Sequence, residues 1–203
     1  PRSGYDPQNP YANRDPRLAD NILYNGTLFK KGKPAIITGN YPNDNNETDD
    51  NLNAKDKSTR TGYYLKKHLR DDVSPKSSGS EISQYHIYPR IRYTELFLAY
   101  AEAANDAWEP KKDGAGVGFT AYDVIKAIRG RAGLGTNENG QPLPEGDVYL
   151  EECAKDKAKM RDLIRNERRI ELCFENKRFW DLRRWMLPLN EMVKGVQIDR
   201  NDE

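Results

Sequence analysis

Three glutamates, Glu167, Glu171 and Glu175, fall at i, i+4 and i+8 in the run "RNERRIELCFENKRFWDLRRW", residues 165–185. On a helix that spacing sets three carboxylates along one face, where they could ligate metal or serve as general acid and base. Di-metal carboxylate helices also need Glu-x-x-His pairs, and the two histidines, His68 and His86, both lie far upstream. Projected on a helix, Met160, Leu163, Ile164, Ile170 and Phe174 form an apolar stripe, with Glu167 inside it and Glu171 on its margin. A carboxylate facing a core must be paired, because stranding a buried charge costs on the order of several kcal/mol. Arg90, Arg92, Arg178, Arg183 and Arg184 are the candidate partners, since guanidinium forks match carboxylates in bidentate geometry. The block therefore reads as scaffold, with structural ion pairs expected among Glu167, Glu171, Arg92, Arg178 and Arg183.

Other chemistries fit less well. From Arg161 to Arg184 eight basic residues alternate with five acidic ones, a poor track for phosphates. The whole chain, with 33 Lys+Arg against 32 Asp+Glu, carries a net charge of +1, so no nucleic-acid partner is expected. "GTLFKKGKP" has five residues between its glycines where a phosphate loop has four, and Pro34 stands where Ser or Thr would bind magnesium. "GAGVG" follows no strand pattern. Asp44 to Asp56 is acidic enough to attract calcium but lacks the central glycine and spaced ligands of an EF-hand, so it reads as a solvated loop. Cys153 and Cys173 form no C-x-x-C pair and read as small buried residues. The sequons at Asn25 and Asn46 matter in a glycosylating secretory pathway. No coherent nucleophile and base emerge, so neither catalysis, a metal nor a cofactor is expected.

The elements that must position these residues differ along the chain. Residues 1–89 are rich in Asn, Asp, Gly, Pro and Tyr and read as long loops with short extended pieces. Residues 90–190 are helical, and 191–203 read as a tail. The fold class is mainly α, with long irregular loops in the first half. "IRYTELFLAYAEAANDAW" sets Tyr93, Leu96, Phe97, Tyr100, Ala101 and Ala104 on one face. A second helix opens at Thr120 and Asp123 and stops near Gly133. A third region runs from about Tyr149 to Glu175, closed by Asn176, and a short helix covers Arg178 to Met186 before Pro188. Twelve tyrosines against five phenylalanines, with a mean hydropathy of −0.98, point to amphipathic surfaces rather than a large apolar interior. No apolar stretch approaches the roughly 18 residues needed to span a bilayer.

"RIRYTELFLAYAEAANDAW", "DVIKAIRGRAGL" and "IRNERRIELCFENKRFWDLRRW" resemble, in order and nearly in wording, the C-terminal half of SusD/RagB-type outer-membrane lipoproteins. "YANRDPRLADNILYNG" and "TRTGYYLKKHL" resemble two segments further upstream. The resemblance implies tetratricopeptide-like helical hairpins and a non-catalytic nutrient-binding protein, mostly for glycans. It implies a lipid-anchored position on the extracellular face of the outer membrane and a SusC-like TonB-dependent transporter as partner. The family's lipidated cysteine and N-terminal half are not in these residues, and the chain opens at Pro1, so a fragment or a cleaved piece is expected. Asn176 stands where the family often has glycine. The resemblance treats the charged block as framework and marks no ligand residue.

Glycans present apolar C–H faces and many hydroxyls, so their sites want aromatic platforms edged by polar side chains. Tyr5 with Asp6 and Gln8, Tyr11 with Asn13 and Arg14, and Tyr41 with Asn40, Asn43 and Asp44 are such groupings. The candidate ligand residues are thus Tyr5, Tyr11, Asn13, Arg14, Tyr41 and Asn43; the alternative is that these tyrosines pack loops onto helices. Trp108, at a helix end, reads as a packing anchor. Peptide binding, and a helical adaptor contacting only proteins, stay open beside an oligosaccharide or polysaccharide ligand.

Overall fold

The computed structural model describes residues 5–30, 35–39, 58–74, 79–137 and 139–198. Helices dominate its regular structure. In chain order the elements are α1 (Arg17–Asn21), β1 (Ile22–Leu23), β2 (Tyr64–Leu65), α2 (Tyr93–Ala107), α3 (Ala121–Arg131), α4 (Val148–Cys153), α5 (Lys157–Glu171) and α6 (Arg178–Arg184). The chain forms two compact units, one of residues 1–18 with 89–187 and another of residues 19–88 with 188–203.

In the first unit α2 packs against α3 and α5, and α4 against α5. Local chemistry sets most boundaries. At the start of α3, Thr120 Oγ1 accepts from the Asp123 amide at 3.2 Å while Asp123 accepts from the Thr120 amide at 2.9 Å, a reciprocal capping box. Gly133, at φ +87°, follows the helix end and closes it in the left-handed region. The region expected to be helical from about 149 to 175 holds two helices. Asp156 accepts from the Lys159 amide at 2.8 Å and starts α5 anew, because an Asp side chain competes with the continuing helix for that amide. α5 ends at Glu171, and Phe174 and Asn176 follow at φ +62° and +58°.

The buried face of α2 keeps Ala101 and Ala104 of the expected one but is rotated away from its aromatic members. Leu98, Ala101, Ala104 and Asn105 are buried, whereas Tyr93 is 80% exposed, Leu96 56% and Phe97 43%. Ala101 and Ala104 let the backbones of neighbouring helices approach closely, and Leu98 fills the space between them. A helical stripe one position away satisfies the same i, i+3, i+4 pattern, so periodicity alone cannot choose between the two. The core joins Leu98 of α2, Ile125 of α3, Leu150 of α4 and Met160 and Ile164 of α5. Asn105 Nδ2 donates to the Lys157 carbonyl at 3.1 Å, and Lys157 Nζ donates to the Trp108 carbonyl at 3.1 Å. This exchange ties the end of α2 to the start of α5.

Among its described residues the second unit is mostly loop. β1 and β2 pair antiparallel, Ile22 with Leu65 and Leu23 with Tyr64. Asn25 Oδ1 accepts from the amides of Thr38 and Gly39 at 2.9 and 3.2 Å, so this sequon side chain organises a loop. His68 sits 5.4 Å from the Tyr88 ring and 6.2 Å from that of His86. Of the residues expected as a tail, Val196 pairs here: its amide donates to the Thr61 carbonyl at 2.9 Å. A Cβ on Gly62 would lie 2.6 Å from the Val196 carbonyl oxygen.

In the first unit Gly114 lies against the indole of Trp108, and a Cβ there would stand 2.3 Å from a ring atom. Gly114→Ala is therefore expected to destabilise the first unit by about 1–3 kcal/mol through overpacking, read as a lower urea midpoint at unchanged slope.

Candidate functional site

α5 places Glu167 and Glu171 one turn apart, and Glu175 follows in the turn beyond it. Glu167 is fully buried and accepts from Arg17 Nη2 at 3.0 Å and Arg129 Nη1 at 2.6 Å. Glu171 accepts from Arg17 Nη1 at 3.2 Å, from Arg92 Nη1 at 3.0 Å, and from Arg131. Both Glu175 oxygens meet Arg92 Nε, at 3.1 and 3.0 Å. Asp147 holds Arg129 in a fork at 2.5 and 3.1 Å, and Asp15 holds Arg17 at 2.9 and 2.6 Å. A carboxylate column surrounded by guanidinium groups repels cations, so its chemistry is charge compensation rather than metal ligation.

A second set of pairs joins α6 to α2 and α5. Asp181 accepts from Arg168 Nε at 2.9 Å on both oxygens and from Arg184 Nε at 2.9 Å. Arg184 reaches Glu102 at 2.8 and 2.6 Å, and Trp185 Nε1 donates to the same carboxylate at 2.6 Å.

The expected partners divide accordingly. Arg92 meets Glu171 and Glu175, while Arg184 serves Asp181 and Glu102. Arg183 is exposed, with its guanidinium 5.6 Å over the Phe179 ring. It is drawn there because α6 turns Asp181, and not Arg183, toward α5. Arg178 is half-buried at the start of α6, where it borders a 370 Å³ depression with Phe174, Phe179 and Trp180. Glu167 takes its guanidinium groups from Arg17 and Arg129, two residues that sequence reasoning missed. They lie 150 and 38 positions away, and no local spacing signals a pairing of that range.

Of the candidate ligand residues, Tyr5 and Arg14 are brought together. Tyr5 is 43% exposed, and the Arg14 guanidinium stands 5.2 Å from its ring centroid. Asp6 accepts from the Gln8 amide at 2.9 Å, and the Asn9 amide donates to the Asp6 carbonyl at 3.0 Å, so a turn follows directly on Tyr5. Asn13 is exposed at φ +53°, and Tyr11 is half-buried. Tyr41 and Asn43, with Asn40 and Asp44, lie outside the described residues. A further recess of 430 Å³, lined by Tyr93, Phe97, Phe119, Val124, Ile128 and Arg131, opens between α2 and α3. It exists because the aromatic edge of α2 faces away from the core.

The architecture is that of a helical frame locked by ion pairs, with loop-borne aromatic and polar groups at its surface. Residues 2–201 match the SusD family, and the chain belongs to it. Two SusD-like proteins of Formosa agariphila are similar. One is 30% identical over 132 residues, covering 65% of this chain and 23% of the relative; the other is 29% identical over 195 residues, covering 86% and 34%. The crystal structure of a SusD-like protein from Bacteroides fragilis superposes with a TM-score of 0.56 at 31% identity, over 87% of this chain and 29% of that one. The chain thus spans a quarter to a third of the length of these relatives. Family members are in general nutrient-binding proteins of the outer-membrane surface and not enzymes.

Two outcomes are expected for the network. Glu167→Ala leaves Arg17 and Arg129 short of their shared carboxylate and should cost about 3–5 kcal/mol, measured by urea denaturation. Burial alone would raise the Glu171 carboxyl, but its bonds and charge interactions with Arg92 and Arg131 outweigh that and hold it lowered. Glu102 is likewise lowered, Arg184 and Trp185 overcoming its burial. A lowered folded-state value means that the stabilisation is complete above the unfolded value of 4.5 and is lost as pH falls through the folded one. The urea midpoint should therefore hold from neutrality down to about pH 5 and decline below about pH 4.

Proposed function

We propose that this chain is part of a cell-surface protein that captures oligosaccharide or polysaccharide without altering it. In this reading it acts with a SusC-like TonB-dependent transporter and is held at the extracellular face of the outer membrane by a lipid anchor. Membership of the SusD family supports the general role. The observation that favours a glycan is the half-exposed Tyr5 ring carrying Arg14 on one face, with the Asp6–Asn9 turn following Tyr5 and Asn13 preceding Arg14 in the chain. A flat ring takes up a sugar's C–H face, while the surrounding amides and charges meet its hydroxyls.

A second reading rests on the recess between α2 and α3. Its lining is mostly apolar and aromatic, which suits a peptide or another protein better than a sugar, as in a peptide-binding relative or an adaptor.

Titration calorimetry against a panel of oligosaccharides and peptides separates the two. Saturable saccharide binding, weakened about tenfold by Tyr5→Ala and by Arg14→Ala, is the expected result. Binding of peptides alone, or saccharide binding indifferent to both substitutions, would overturn the assignment to this turn.

A further inference from the structure

We propose that Arg17 is a positioning residue that clasps the Tyr5–Arg14 segment to the helical frame by inserting its guanidinium between Glu167 and Glu171. The inference deepens the glycan reading of that segment and rests on it for its functional half. Residues 5–16 contain turns and one isolated Asp6–Asn9 bridge but no helix or strand, so the segment has no ladder to hold it. Three residues after Arg14, the chain sends Arg17 inward until 7% of it is exposed. There its fork meets Glu167 at 3.0 Å and Glu171 at 3.2 Å, carboxylates 150 and 154 positions away.

The fork is prepared locally. Asp15 takes Arg17 Nε at 2.9 Å, Nη2 at 2.6 Å and the Arg17 amide at 3.0 Å, with Pro16 between them restricting φ. A side chain already held by its own neighbour loses less entropy when it docks. Pro16 itself approaches the Gly133 turn after α3, where a Cβ on Gly133 would be 3.6 Å from Pro16 Cγ. Lysine could not replace this geometry, because an ammonium is a point charge with no planar fork to divide among three carboxylates.

The frame has other cations to fall back on. Without Arg17, Glu167 keeps Arg129, and Glu171 keeps Arg92 and Arg131. Loss of the clasp should thus free the segment while α3 and α5 stay folded. This separates a clasp from an ordinary core residue, whose removal would loosen all three together.

Hydrogen–deuterium exchange on the whole chain, followed by mass spectrometry, reads the difference. In Arg17→Met, peptides covering residues 5–18 should exchange at least about tenfold faster than in the native protein, with those of α3 and α5 changed less than about twofold. Arg17→Lys should fall between the two. Exchange at 5–18 that does not change, or that rises equally through α3 and α5, overturns the clasp. Calorimetry with the tightest saccharide of the panel should show Arg17→Met weakened as much as Tyr5→Ala. If exchange responds as expected while the native protein binds no saccharide, the clasp stands and the glycan reading of the segment falls.

Discussion

A carboxylate withdrawn completely from water must be met by positive charge, and Glu167 imposes that demand at the centre of the helical unit. It sits on α5 in line with Met160, Leu163 and Ile164, all buried. Its guanidinium partners come from α1 and α3, and those of Glu171 and Glu175 add the residue that precedes α2. The carboxylates of α5 and the turn after it therefore recruit side chains from two other helices and from the N-cap of a third. Ion pairs of this kind add little net stability over an apolar replacement, yet any packing that strands one of the charges is costly. Arginine serves every one of these positions, since one planar fork can satisfy two carboxylates at once, as Arg17 and Arg92 do.

The run from 165 to 185 has two faces with different tasks. Inward, Glu167, Arg168, Glu171, Glu175 and Asp181 are buried and paired. Outward, Phe179 and Trp180 stand 50% and 65% exposed, their rings 5.2 Å apart edge to face. Phe174, held at φ +62° where bulky residues are rare, adds a third exposed ring. The edge of α2 likewise leaves Tyr93, Leu96 and Phe97 exposed.

Much of the fold was legible beforehand where the physics is local. Thr120 and Asp123 announce a capping box and Gly133 a left-handed end, and the structure shows both, whereas Asn176 is left-handed but lies five residues beyond the end of α5 and does not cap it. The break at Asp156 was legible in principle, because an Asp ahead of an apolar-periodic run is a helix start, but continuous periodicity on both sides masks it. The buried side of α2 was legible only in part, at Ala101 and Ala104. Its two adjacent stripes have equal period, and the choice between them depends on how closely α3 and α5 approach Ala101 and Ala104.

By itself, the sequence determined the helical character of the second half, the capping box at Thr120 with the stop at Gly133, and the need for Glu167 to be charge-paired, since each follows from neighbours within one or two turns. Its motifs also carried the family resemblance, because those motifs are runs of adjacent residues. Tertiary structure alone decided which arginines answer the glutamates, bringing Arg17 across 150 positions and turning Arg183 onto an aromatic ring. It alone also laid Arg14 over Tyr5. Pairings at such range depend on how the helices pack and the chain returns, and no short stretch of residues encodes that.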